Sequence, residues 1–372
     1  MISVLSDLFY SVRNKVLSSE RSLRFLSDFP VSRPIAKRES RAAFDLCAGF
    51  VYSQVLLACI ELRLLDHLAD APISLPEIAR KTGLNEEAAA RLLDAATSLR
   101  LCSKRPHGRF GLGQLGAVIR VNAGLRQMIE HHAILYRDLA DPVALLRNGM
   151  ASTGTREFWA YARRAEPSQI GRQDVSRYTS LMAASATVLA QDVLDAYPLD
   201  RYSTLLDVGG GDGTFALDAA RRHSGLRTTT LDLPAVASIA AEKLAASGLG
   251  ARCRAVGGNM LDGTPTELYD VAILVRVLID HDTPSVRKIL RYCRASLKPG
   301  GVLLIAEPQA DAAGFERVGA AYFGFYLLAM GQGRARSFDE LSELLSAEGF
   351  ARPRRIPTRT PLVTGLIAAD HN

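Results

Sequence analysis

The stretch whose reading decides the fold is "TLLDVGGGDGTFALDAARRH", residues Thr204 to His223. An apolar run of strand length breaks into four glycines within five residues, then resumes as an alanine-rich helical pattern. A strand that feeds a glycine-rich turn at a helix N-terminus offers unpaired backbone N–H groups and the positive end of a dipole. Such turns hold small molecules. Which molecule depends on the side chains around the turn.

Downstream, the chain from about residue 200 alternates two textures. "TLLDVG", "LRTTTLDL", "ARCRAVGGN", "YDVAILVRVL" and "GVLLIAEPQ" are apolar runs of strand length, separated by helix-like stretches such as "PAVASIAAEKLAASG" and "TPSVRKILRYCRASL". That alternation predicts right-handed βαβ units and a parallel sheet covered on both faces. "RPRRIPTR" and "PLVTGLIAAD" then suit a closing hairpin at the sheet edge. In an open α/β sheet of this kind the ligand sits beyond the carboxyl ends of the strands.

A dinucleotide fingerprint counted from Gly209 fails, because Thr214 stands at its third glycine. Counted from Gly211, with Ala216 in third place, a loose match survives, so a nicotinamide oxidoreductase stays open. The fuller description is acid-x-Gly-x-Gly-x-Gly: Asp207, Gly209, Gly211 and Gly213. Asp207 puts a carboxylate beside the turn, where it repels a pyrophosphate and attracts a cation or an amine. Asp232, nineteen residues after Gly213, ends the second strand and can accept from both hydroxyls of an unphosphorylated ribose. S-Adenosylmethionine carries the sulfonium, the amine and the bare ribose that this pattern suits. Singly, Asp207 is also a strand-end turn former and Asp232 a helix cap before Pro234. Together, with the glycines and the "LKPGG" turn, they point to a methyltransferase.

Upstream lie two further regions. Residues 41–195 read as a helical domain that contains a winged helix: "ISLPEIARKTGLNEEAAARLLDAATSLRLCSKRPHGRFGLGQLG" gives helix, turn at Thr82-Gly83-Leu84, second helix, and a hairpin at His107-Gly108. A DNA reader carries Lys or Arg along its second helix. Here that helix opens with Glu86 and Glu87 and shows Arg91 alone before its end, which favours dimerisation over nucleic acid. Residues 1 to about 40 place Leu5, Leu8, Phe9, Val12, Val16 and Leu17 at helical spacing, followed by Arg21, Arg24, Arg33, Lys37, Arg38 and Arg41. Such a basic amphipathic arm packs on its own protein or a dimer mate, or lies on an anionic membrane. Residues 196–372 form the methyltransferase domain.

Composition bounds the rest. A hydrophobic share of 48% against 23% charged is that of a globular chain, and a net charge of +6 permits an anionic partner without demanding one. Cys47, Cys59, Cys102, Cys253 and Cys293 form no C-x-x-C pair, so they predict buried thiols in a reducing cytoplasm and no metal site. "CAGFVYSQVLLACIELRLL" is interrupted by Ser53, Gln54 and Glu61, which predicts a buried helix rather than a membrane span.

Residues 45–370 resemble the plant-type small-molecule O-methyltransferases through "LLDVGGGDG", "LDLPAV", "GGNML", "YDVAILVRVLIDHD", "LKPGGVLLIAE" and "LLAMGQGRARSFDELSELLSAEGF". Within that family the likeness is strongest to bacterial enzymes that methylate hydroxylated carotenoids, carried by "SRYTSLMAASATVLAQDVLDAY" and "AAYFGFYLLAMGQGRARSF". The resemblance implies a Rossmann-like class I methyltransferase domain behind an all-α, winged-helix-containing dimerisation domain, a homodimer, and S-adenosylmethionine as cofactor. It also implies that Gly209 and Gly211 line the methionine moiety and that Asp232 takes the ribose. Asn259 and Met260 then face the adenine, and Met182 lies near the sulfonium. Without the resemblance, Met182 reads equally as core packing.

The family's general base is the histidine of a "HDW" motif after the fourth strand. Here the stretch reads Ile279-Asp280-His281, so isoleucine holds the base position and His281 falls on the tryptophan. His281 serves as base if the segment is a loop that turns its ring inward, since two positions along a helix rotate it by about 200°. Asp280 and Asp282 beside it are expected to favour the imidazolium. Otherwise it is a helix N-terminal or substrate-positioning residue, and His131 and His132 in "IEHHAILY" come next, although paired histidines on one helix are commonly structural.

The implied acceptor, the tertiary hydroxyl of an apolar isoprenoid, is less acidic than a phenol, so alignment and water exclusion would supply most of the acceleration. "AAYFGFYLLAMG" suits the wall of an apolar tunnel or a buried helix at a domain seam. An isoprenoid drawn from a membrane would give the basic arm a purpose. Two other readings stay open: O- or C-methylation of a phenolic or bacteriochlorophyll-type acceptor, and a catalytically idle, DNA-binding relative that senses the cofactor.

Overall fold

The computed structural model describes all residues except 1, 20, 23, 25–27, 149–152, 160–171, 313, 315–316 and 362. It divides into two compact units, Met1–Arg120 and Val121–Asn372.

In the first unit α1 (Ile2–Leu17) and α2 (Arg33–Glu61) precede α3 (Leu64–His67), β1 (Ile73–Ser74), α4 (Leu75–Thr82) and α5 (Glu86–Ser98). The left-handed φ of +73° at Gly83 ends α4, and Asn85 starts α5 by accepting the Ala88 N–H at 2.8 Å. β2 (Cys102–Arg105) and β3 (Arg109–Leu112) turn back at His107 and Gly108, and the strands pair in the order β1-β3-β2. The winged helix read from the sequence is therefore present, with Glu86 and Glu87 in the first turn of its second helix.

α2 corrects one expectation. The apolar run from Cys47 reads as a buried helix, yet only Leu57, Cys59 and Ile60 of α2 are buried. Phe44, Leu46 and Phe50 are 68%, 75% and 71% exposed, and Cys47 is an exposed thiol rather than a buried one. The helix is long and apolar enough to cross a membrane by length and composition. Its apolar stripe is wider than the surface its own unit offers to cover it.

In the second unit α6 (Ala123–Asp138) and α7 (Arg172–Ala196) lead into β4 (Thr204–Val208), α8 (Thr214–Arg222), β5 (Arg227–Asp232), α9 (Pro234–Ala246) and β6 (Cys253–Gly257). β7 (Tyr269–Val275), α10 (Thr283–Ala295), β8 (Leu297–Glu307), α11 (Phe323–Met330), α12 (Phe338–Ala347), β9 (Ala351–Ile356) and β10 (Gly365–Asp370) follow. One sheet runs β6-β5-β4-β7-β8-β10-β9. β4 to β8 pair in parallel, whereas β10 lies antiparallel between β8 and β9, so the closing hairpin puts β9 at the edge.

Successive side chains of a strand point to opposite faces. Leu205, Ile273, Val302 and Leu304 accordingly pack with Leu189 and Val193 of α7 and Phe215 of α8. Leu206, Leu274, Leu303 and Ile305 pack on the other face with Val286 and Ile289 of α10 and Leu341 of α12. Both faces are core, which is why Val271–Val275 of β7 and Val302–Ala306 of β8 read as unbroken apolar runs. Because α7 packs on the sheet, the boundary read near residue 195 marks where the sheet begins, while the division between compact units falls at Arg120.

Candidate active site

A cavity of about 430 Å³ opens at the carboxyl ends of β4, β5 and β7, where the chain runs from β4 outward in both directions. Its floor is the glycine turn. The Gly209 and Gly210 N–H groups donate to the Leu231 carbonyl at 2.8 and 3.3 Å and tie the turn to β5. Gly211 takes φ +60°, and nothing lies within 4 Å of where a Cβ would stand, so its backbone is bare to a ligand.

Asp207 is wholly buried, and neither carboxylate oxygen has a partner at hydrogen-bonding geometry. Burial, with the neighbouring charge of Asp232 adding to it, pushes its pKa up to about 8; the nearby Ala216 N–H opposes this only in part. Asp232 accepts the Gly211 N–H at 2.8 Å and the Leu233 N–H at 2.7 Å, and burial raises its pKa to about 6. Each of its oxygens keeps a second lone pair. Asp212 is held by Lys243 Nζ at 2.6 Å and the Thr214 hydroxyl at 2.6 Å.

Among the described residues, five carboxylates line this cavity: Asp207, Asp212, Asp232, Asp262 and Asp280. Arg276 lines it too, with Nη2 donating to the Met182 carbonyl at 3.1 Å. An acid-rich wall with an orphaned buried carboxylate fits a ligand that brings an ammonium and a sulfonium, and disfavours a pyrophosphate. S-Adenosylmethionine fits the residues present.

Every residue that the sequence singles out for the cofactor lines this one cavity, as does His281. Asn259 does so with its amide engaged: Oδ1 accepts the Leu261 N–H and Nδ2 donates to Asp262, both at 3.0 Å. Its carbonyl oxygen keeps one lone pair rather than being a free acceptor. Met260 packs beside it against the edge of the sheet core. Met182 lines the cavity with Trp159 and also packs against the apolar cluster behind it.

After β7, Arg276 takes a left-handed φ of +54°, and one turn of 3-10 helix, Leu278–Asp280, carries the chain to His281. His281 has extended backbone (φ −119°, ψ 149°), which meets the condition that the segment be a loop. Ile279, at the family's base position, points away into a cluster with Trp159, Tyr326, Leu327 and Met330. The expected charge of His281 needs correction. Burial lowers its pKa to about 4; the attraction of Asp282 is smaller, and Arg336 adds to the lowering. Asp282 is occupied as the N-cap of α10, accepting the Ser285 N–H at 2.9 Å. At neutral pH the ring is an uncharged imidazole.

His131 and His132 are braces. His131 Nε2 bonds the Tyr326 hydroxyl at 2.7 Å, which also accepts from Trp159 Nε1 at 2.8 Å, and His132 Nε2 bonds the Tyr322 hydroxyl at 2.8 Å. Burial lowers both pKa values, that of His131 to about 4. In the segment "AAYFGFYLLAMG", Tyr326, Leu327, Ala329 and Met330 are buried while Phe325 is 38% exposed, and none of its residues lines this cavity. Sequence reasoning passed over Trp159, Asp262, Arg276 and Gln332, which line the cavity, and Glu307 and Arg336, which stand behind it. No local pattern marks them.

Two family models match the chain: an O-methyltransferase dimerisation domain over residues 44–119 and an O-methyltransferase domain over residues 136–351. A demethylspheroidene O-methyltransferase of Cereibacter sphaeroides is 36% identical over 357 residues, 95% of this chain and 93% of that one. Its namesake from Rhodobacter capsulatus is 37% identical over 359 residues, 96% and 88% of the two chains. Human N-acetylserotonin methyltransferase, solved in complex with SAM, matches in fold with a TM-score of 0.73 at 23% identity, over 90% of this chain and 98% of that one.

Proposed function

The chain belongs to the plant-type family of S-adenosylmethionine-dependent O-methyltransferases, and from that premise we propose that it methylates a hydroxyl of an apolar isoprenoid. The acceptor favoured is the tertiary hydroxyl of a hydroxylated carotenoid of the demethylspheroidene type, the compound in the names of the relatives at 36% and 37% identity. The observation that carries the chemistry is the buried, unpartnered Asp207 in an acid-lined cavity.

The bound cofactor supplies an electrophilic methyl group. In this reading Asp207 receives its amine, Gly209 and Gly211 lie along its methionine part, and Asp232 takes the ribose hydroxyls. Asn259 and Met260 flank the adenine, and Met182 packs beside the reacting centre. Neutral His281 offers a lone pair to the acceptor's hydroxyl proton. With a pKa of about 4 it is too weak a base to ionise an alcohol beforehand, so proton loss accompanies methyl transfer. In-line alignment and exclusion of water then supply most of the acceleration.

Two copies associate through the dimerisation domain, where the exposed Phe44, Leu46 and Phe50 of α2 offer apolar area. The N-terminal arm, with Leu8, Phe9 and Tyr10 exposed beside Arg13 and Lys15, draws this cytoplasmic enzyme to an anionic membrane where such an acceptor dissolves. Pelleting of the full chain with anionic vesicles, lost on truncation to Arg41, tests the arm; equal and negligible pelleting removes it. Radiolabelled methyl transfer to demethylspheroidene, to phenols and to a bacteriochlorophyll-type macrocycle tests the acceptor. Labelling confined to either of the latter overturns the carotenoid reading. Cofactor binding without transfer to any of them favours the sensing relative.

A further inference from the structure

The turn that carries Asp280 and His281 into the cavity is too short to hold itself. Its own backbone bonds, Asp280 N–H to Val277 O and His281 N–H to Leu278 O, are both 3.2 Å. A three-residue 3-10 turn has poorer hydrogen-bond geometry than a helix. What fixes it comes from elsewhere in the chain, 28 to 58 residues away.

Arg336 is 1% exposed. Its Nη1 donates to the Leu278 carbonyl and its Nη2 to the His281 carbonyl, each at 2.8 Å. One planar fork therefore grips both ends of the turn. Gly333, three residues earlier, lies with φ +84° against the middle of the same turn; a Cβ there would stand 2.8 Å from Asp280 Cα. On the opposite flank, buried Glu307 Oε2 accepts the Ile279 N–H at 3.0 Å. The strap from Gly331 to Arg336 is thus shaped to the turn, and Gln332, next to Gly333, lines the cavity. Burying a guanidinium is costly, and a lysine could not reach two carbonyls in one plane.

We propose that Arg336 is a positioning residue for methyl transfer, its fork setting the Leu278–His281 turn so that His281 meets the acceptor's hydroxyl. This rests on the reading of His281 as proton acceptor. It asks nothing of Arg336 toward the cofactor or the acceptor themselves.

Arg336→Lys keeps the charge and removes the fork. Gly333→Ala disturbs the same turn from its other contact, and serves if the lysine variant does not fold. Each is compared with wild type, with His281→Ala and with the corresponding double variant. The measurements are kcat for demethylspheroidene and S-adenosylmethionine affinity by calorimetry. The expected result is a loss of about tenfold or more in kcat, with cofactor affinity within about twofold and little further loss in the double variants. Unchanged kcat in the folded variant overturns the proposal. So does a loss that multiplies fully with that of His281→Ala, since the fork would then act through something else. If His281→Ala itself stays fully active, the base reading fails. In that case this proposal falls with it, whereas a large loss in His281→Ala beside an unchanged kcat in the folded Arg336→Lys removes the proposal alone.

Discussion

The carboxyl group of Asp207 lies directly under Gly210: a Cβ built on that glycine would stand 2.5 Å from Asp207 Cγ and 2.8 Å from Thr230 Cγ2. Acid and backbone share one space, and only a residue without a side chain leaves room for both. Gly210→Ala must displace the carboxylate or the turn. It is expected to weaken S-adenosylmethionine binding about tenfold or more, on the order of 1.4 kcal/mol by calorimetry. Affinity kept within a factor of two would mean that the turn relaxes and the acid is not held by it.

Asp207 also couples stability to pH. Its pKa is about 8 in the folded chain against 3.8 for an ordinary aspartate. Between those values the folded chain retains a proton that the unfolded chain has lost, so stability falls as pH rises and the full cost is present above pH 8. Asp207→Asn avoids that cost. Without cofactor, its Tm should exceed that of wild type by a margin that grows from pH 4 to 8, about 2–4 °C for each kcal/mol relieved. A margin that is flat with pH would contradict the argument.

The same carboxyl should make cofactor binding pH-dependent in the opposite sense. A cationic ligand favours the carboxylate, so below about pH 8 binding must expel the proton, and affinity should climb as pH rises toward that value. Calorimetry in two buffers of different ionisation heat reports the released proton directly. An equal heat in both, at pH 7, would count against Asp207 as the amine's partner.

For His281 the relevant sign is reversed. Its folded pKa of about 4, against 6.5 for a free imidazole, leaves it neutral across the working range. At saturating cofactor, kcat should therefore stay level through pH 6.5 and fall only as pH approaches 4. His281→Ala should lower kcat about a hundredfold or more, as for a lost general base. A loss of a few-fold would assign the ring to orientation of the acceptor instead.

Restoring a histidine at the family's base position should not restore the base. Ile279 is 5% exposed and packs with Trp159, Tyr326 and Met330. An imidazole placed there loses apolar contact and buries polar atoms, costing about 1–3 kcal/mol. Ile279→His is expected to lower Tm, and Ile279→His combined with His281→Ala to be no more active than His281→Ala alone. Recovery of activity would show that the turn can rotate.

Local patterns carried the sheet and the residues that line the cavity at the glycine turn. The alternation of apolar runs and helices, and the spacing of Asp207, Gly209, Gly211 and Asp232, are short-range features that survive folding unchanged. What escaped is long-range. The charge of His281 looks cationic beside Asp280 and Asp282, yet its burial is set by the packed chain around it. Arg336 lies 55 residues from the carbonyl it holds. α2 reads as buried because apolarity in sequence does not say which molecule covers it.

Of the residues of β4, β5 and β7, only Asp207, Asp232 and Val275 line the cavity, each at or next to the carboxyl end of its strand. Replacements around that rim can therefore exchange one ligand contact for another without opening a hole beneath the strands. A lineage, or a protein engineer, can retune what such a scaffold alkylates while its fold tolerates the experiment.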